Sequence, residues 1–188
     1  MRKLARVAVL ILAAVGVVRL LPATASPVRD VEFQDALAAT FMSAAEVAAT
    51  ISTAPEGRVS DQQIRNVDAG GYNVGVGVVQ RPPTSRLGAI QHHKQSEVYY
   101  VVSGAGTLVT SAVLSEGRPL DPDGAVVRTL TGPSDAGTIV GGERRAIVAG
   151  DMVIIPEGVA HGFSEITETI TYLVVRIDSE QLVELKLK

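Results

Sequence analysis

The stretch Gly150-Asp151-Met152-Val153-Ile154-Ile155-Pro156-Glu157-Gly158-Val159-Ala160-His161 decides how the rest of the chain is read. Gly150-Asp151 is a turn signal, Met152 to Ile155 is a short apolar strand, and Pro156-Glu157-Gly158 is a second turn. Pro156 fixes its own φ, and Gly150 and Gly158 are suited to positive φ. The chain therefore reverses tightly and His161 opens the next strand, back on the wall of the sheet.

A second segment holds the other two of the three histidines: Gln91-His92-His93-Lys94-Gln95-Ser96-Glu97-Val98-Tyr99-Tyr100-Val101-Val102-Ser103-Gly104. Residues i and i+2 of a strand share a face, so Glu97, Tyr99 and Val101 point one way and Val98, Tyr100 and Val102 the other. A carboxylate leading an apolar face is costly inside a barrel unless a metal ion or a histidine pairs with it. His92 and His93 are adjacent, so they point to opposite faces and both reach one centre only through a bulge. If His93 faces inward its partner position is Gln91; if His92 does, it is Ile90. Spacing to Glu97 permits either. The candidate metal ligands are thus His92, His93, Glu97 and His161, with Gln91, Tyr99 and Phe163 as candidate pocket-lining residues. Gly104 is expected, like Gly150 and Gly158, to sit at a turn.

The two segments resemble the paired signature motifs of the cupin superfamily. Gly150, Pro156, Gly158 and His161 fall at the spacing of the second motif, with Glu165 where that motif has Asn. His92 or His93, Glu97 and Gly104 fit the second half of the first motif, but the usual His-x-His pair is lacking. The resemblance covers roughly residues 70–178. It implies an all-β fold, a cupin-type jelly-roll barrel, with a divalent metal (iron, manganese, zinc, nickel or copper) inside it and pairing into a homodimer. Two histidines and one carboxylate would be one histidine short of the usual cupin set, and resemble the ligand chemistry of non-haem iron enzymes.

The remaining chain fits that frame. Short runs rich in Val, Ile, Thr and Tyr alternate with turn residues from Gln62 onward, which predicts a sandwich or barrel. The expected strands are 62–67, 72–80, 87–93, 97–102, 106–113, 126–130, 138–140, 145–148, 152–155, 161–165 and 169–177. Residues 114–137 read as a turn-rich insertion. Residues 30–52 read as helical, with Ser43 and Glu46 forming a capping box that starts a helix near Ala44. No helical period reappears before the last ten residues.

Composition bounds the function. The chain of 188 residues is 46% hydrophobic and 20% charged, enough to bury a core. It has no cysteine, which excludes disulfides, thiolate sites and cysteine nucleophiles. Arg2, Lys3 and Arg6, the apolar run Val7–Val18 and Ala23-Thr24-Ala25 have the three parts of a secretory signal peptide, and the run is too short for an ordinary membrane span. The expected organisation is a signal peptide over 1–25, a helical extension over 26–61 and a barrel domain over 62–188. Cleavage after Ala25 leaves 13 basic against 20 acidic residues, a net charge of −7. That charge offers no electrostatic footprint for nucleic acid. The expected product is exported, periplasmic or secreted, without a stable membrane span after cleavage; the competing reading is an uncleaved N-terminal anchor.

Two functions compete. One is a metal-dependent enzyme, oxygenase- or isomerase-like, acting on a small organic molecule. The other is a non-catalytic module that binds or senses a small ligand. A purely structural envelope role is disfavoured by the placing of Glu97 and His161.

Overall fold

The computed structural model describes residues 39–84 and 88–188. The expected signal peptide and the first part of the expected helical segment lie outside them. Among the described residues no helix is long and apolar enough to cross a membrane.

The first element is α1, Ala44–Ser52, which begins where the capping pattern places it. Ser43 Oγ accepts the Glu46 amide at 3.1 Å, one of the orphan donors of a helix start. The Glu46 carboxylate does not turn back to the cap but pairs with Arg65 at 2.6 Å. Residues 39–43 are not helical, and the N-cap Ser43 is extended.

Nine strands follow: β1 Ser60–Asp68, β2 Asn73–Arg81, β3 Ala89–His92, β4 Gln95–Ser111, β5 Ser115–Pro119, β6 Ser134–Thr138, β7 Glu143–Val148, β8 Met152–Ile155 and β9 Ala160–Asp178. All pairings are antiparallel. β4 and β9 run side by side along most of their length and belong to two sheets. Their Gln95–Val101 and Ile170–Asp178 halves are flanked by β8 on one side and by β2 and β1 on the other. Their Ala105–Ser111 and Ala160–Gly162 ends are flanked by β7 on one side and by β3, β6 and β5 on the other. The result is an all-β jelly-roll barrel preceded by a short helix, the architecture that the cupin resemblance implies.

The two sheets meet where β4 bends. Its register against β9 slips repeatedly between Val101 and Leu108. Gly104 lies in the bend with φ 78°, and a Cβ there would stand 2.1 Å from the Thr169 carbonyl oxygen. Only glycine fits such a corner. Gly104 is thus a bend inside one strand, not a turn between two, and the expected strands 97–102 and 106–113 are one. The expected 161–165 and 169–177 likewise merge into β9. Between the sheets lie buried Val79, Tyr99, Val101, Leu108, Ile147, Phe163, Tyr172 and Val174.

Three further expectations are corrected. Residues 126–130 are not a strand; Val127–Thr131 is a π-helical turn. The region 114–137 is not a mere excursion, since its β6 pairs with β3 and completes the second sheet. The last ten residues are not helical: Asn66 and Lys186 exchange backbone hydrogen bonds of 2.9 and 2.8 Å, which lays the terminal segment along β1.

Candidate metal centre

Glu97 is carried by β4, level with Ile155 of β8 and Arg176 of β9. Its face of the strand is buried, as the alternation from Glu97 through Tyr99 to Val101 requires. His161 is the second residue of β9, opposite Ile90 of β3 and Thr110 of β4. His92 ends β3, opposite Ser134 of β6. The three side chains converge from both sheets, and each is almost fully buried at 4% exposure or less. One ligand atom from each lies within 4.8 Å of the others, a group that could hold a metal ion.

The ring orientations are fixed by the second nitrogen of each histidine. His161 Nδ1 lies 3.0 Å from the Val159 carbonyl oxygen. A carbonyl can only accept, so Nδ1 carries the proton. His92 Nδ1 lies 2.9 Å from Ser134 Oγ, whose own hydroxyl is directed at the Thr131 and Gly132 carbonyls. Ser134 therefore presents a lone pair to His92, and His92 Nδ1 donates as well. Burial holds the His92 imidazole below its usual pKa, against the opposing pull of Glu97, which favours the neutral form. The Nε2 of each ring faces Glu97, at 3.5 Å for His92 to Oε1 and 3.1 Å for His161 to Oε2.

His161 Nε2 is buried and makes no hydrogen bond, although Glu97 is within reach. The two atoms are close but not aligned for a shared proton. Two ligand atoms each about 2.1 Å from one ion, at right-angled to tetrahedral spacing, stand about 3.0–3.4 Å apart. The two histidine–carboxylate separations, one to each oxygen of Glu97, fall close to that range. The donor set fits a divalent first-row metal.

The carboxylate is held by more than the histidines. Tyr99 donates to Oε2 at 2.8 Å, and Arg176 Nε donates to Oε1 at 3.0 Å. Arg176 is itself buried and donates to Gln63 Oε1 at 3.1 Å and Asp61 Oδ2 at 2.6 Å. Burial works against the Glu97 charge, but His161, His92 and Arg176 outweigh it and keep the carboxyl well below the usual range. Burial, reinforced by Glu97, pushes the Tyr99 phenol well above its ordinary value, so it stays a donor.

The structure separates the other predicted residues. His93 points away from the centre, with Nε2 3.5 Å from Asp135 Oδ1 near the surface. Gln91 shares that outer side and donates to the Gly158 carbonyl at 2.6 Å, so it does not line the cavity. Tyr99 and Phe163 do line one, of about 190 Å³, together with Arg81, Ile90 and His161.

No protein-family model matches the chain, and no curated protein is significantly similar to it. Among solved structures, an L-ribose isomerase of Cellulomonas parahominis bound to L-psicose is 14% identical with a TM-score of 0.44. That comparison covers 65% of this chain and 64% of that one. The DMSP lyase DddQ of Ruegeria pomeroyi DSS-3 is 15% identical with a TM-score of 0.43, over 70% of this chain and 52% of that one. This chain therefore spans about half the length of that lyase. The EutQ protein of Clostridium difficile is 12% identical with a TM-score of 0.40, over 65% of this chain and 69% of that one.

Sequence reasoning missed four residues that shape the site. Arg176 was legible in principle, because it shares a strand face with Tyr172, Val174 and Asp178, and a cation in such a series must be paired. Ser134 carried no local signal, since only the pairing of β6 with β3 sets it opposite His92. Arg81 and Tyr172 meet across the β2–β9 pair, where the Arg81 Nε donates to the Tyr172 hydroxyl at 3.0 Å.

Proposed function

We propose that His92, Glu97 and His161 bind a divalent first-row metal ion, and that the protein is an exported metal-dependent enzyme acting on a small organic molecule. One observation carries the metal reading: the buried His161 Nε2 faces Glu97 Oε2 at 3.1 Å with no hydrogen bond between them. The Nδ1 anchors at Val159 and Ser134 support it, since outer-shell partners of this kind fix ligand tautomers.

Three protein ligands leave positions open to substrate, and an ion there supplies Lewis-acid polarisation of a bound oxygen. The chain's own groups do the rest. Tyr99 and Arg176 hold Glu97 in place, and the apolar wall of Ile90 and Phe163 limits water. The cavity beside His161 and Tyr99 offers room for a small molecule next to the centre and supports an enzyme of the oxygenase or isomerase kind. Export rests on the N-terminal pattern of Arg2, Lys3, Arg6, Val7–Val18 and Ala23-Thr24-Ala25.

Metal analysis of the purified protein, followed by titration of chelator-treated protein with manganese, iron and zinc, tests the centre. About one ion per chain is expected, lost on His161→Ala. A protein that takes up none of them refutes the reading. Intact mass of the exported product should begin at Ser26, and an uncleaved chain would contradict the export proposal.

A further inference from the structure

Among the described residues, Arg81 is the one formal cation lining the cavity beside His161, and no carboxylate lines it. It ends β2, and its guanidinium carbon sits 5.7 Å from the centroid of the Phe163 ring. Nε is occupied by the Tyr172 hydroxyl. Tyr172 is in turn fixed, buried against Tyr99 with ring centroids 4.3 Å apart. Among the described residues, the two terminal nitrogens of Arg81 have no hydrogen-bond partner. The Tyr172 oxygen holds the group firmly protonated, against the effect of burial. A guanidinium placed over one ring and pinned through Nε presents its Nη1/Nη2 fork in a fixed direction. That fork matches the two oxygens of a carboxylate.

We propose that the cavity takes a small carboxylic acid, whose carboxylate is bound bidentately by Arg81 while its other end faces the His92, Glu97 and His161 centre. This rests on the metal reading for the reacting end only; the Arg81 contact stands without it. The volume of about 190 Å³ is below the roughly 300–1,000 Å³ of sites for drug-sized ligands, so the acid is short. Ile90 and Phe163 favour an apolar segment between its two ends. Arg81 is a binding and specificity-determining residue, absent from the ligand set of the metal.

The test is calorimetric titration of the whole protein, zinc-loaded and chelator-treated, with glycolate, lactate and succinate, each beside its amide, and with inorganic phosphate. At least one acid should bind, and its amide at least tenfold more weakly. Arg81→Met keeps the packing on Phe163 but removes the charge, and should weaken the acid roughly tenfold to a hundredfold, with bound zinc per chain unchanged. Arg81→Lys keeps the charge without the fork and should fall between. Tyr172→Phe frees Nε and should cost less than Arg81→Met. Equal binding of acid and amide, indifference to Arg81→Met and Arg81→Lys, no acid binding at all, or phosphate binding tighter than every acid would each overturn the proposal. Zinc uptake absent while acid binding still depends on Arg81 refutes the metal reading and leaves this one standing. Zinc bound while acid binding ignores Arg81 does the reverse.

Discussion

Glu97 Oε2 and His161 Nε2 stand 3.1 Å apart across the gap between two sheets, each side chain held by another group: Tyr99 donates to Oε2, and His161 Nδ1 donates to the Val159 carbonyl. Two ligand atoms held face to face by their own anchors make a site that gains by accepting a cation.

The two adjacent histidines should behave as opposites. His92→Ala is expected to remove metal binding, because it deletes a buried ligand atom. His93→Ala should leave metal content and affinity unchanged, since its ring points away from the centre and meets Asp135 near the surface. Metal content of the two variants, measured side by side, checks this, and equal loss would contradict the assignment.

Arg176 should matter more to folding than any surface cation. Arg176→Met leaves both Glu97 and Asp61 without their guanidinium. Breaking a buried ion pair by removing one partner costs about 3–5 kcal/mol. Denaturant unfolding of the metal-free protein measures it. Adding Asp61→Asn to Arg176→Met should recover part of the loss, because one stranded charge is then gone.

Two glycines with similar backbone angles should respond differently to a methyl group. Gly158→Ala adds a Cβ with nothing within 4 Å at φ 76°, and should cost only the left-handed penalty of about 1–2 kcal/mol. Gly104→Ala meets the Thr169 carbonyl as well, and should exceed that penalty or prevent folding. Melting temperatures of the two variants give the comparison.

One pH dependence follows from the β1–β2 turn. Asp68 Oδ1 accepts the amides of Gly70 at 2.8 Å and Gly71 at 3.1 Å. The Gly70 amide, then that of Gly71, holds its pKa below the ordinary value. The charged form is favoured in the folded state, so its contribution is full above the unfolded value of about 3.9 and is lost as pH falls through the folded one. Asn keeps the acceptor without the charge. Wild type should therefore melt above Asp68→Asn at pH 6, and the gap should narrow as pH falls below the unfolded value of about 3.9.

Much of the fold was legible because its punctuation is strong. Gly150, Pro156 and Gly158 bound β8 at both ends, and His161 follows at fixed spacing. Glu97 was legible because a carboxylate at the head of an apolar face demands a partner. What failed depended on tertiary context. A run such as Val126-Val127-Arg128-Thr129-Leu130 has strand composition, yet it winds into a helical turn that closes with the Gly132 amide on the Val127 carbonyl. The choice between His92 and His93 is a matter of register, and a period of two fits either until β6 sets Ser134 opposite His92.

β4 and β9 each serve both sheets, and β9 is the latest of the described strands to leave the ribosome. His161 rides at its start and the Arg176 that braces Glu97 rides near its end. The centre therefore comes into being only when β9 has docked along its whole length, which joins sheets formed from segments far apart in sequence. Metal uptake would report on barrel closure itself: a chain whose β9 stays undocked presents His92 and Glu97 without their third partner.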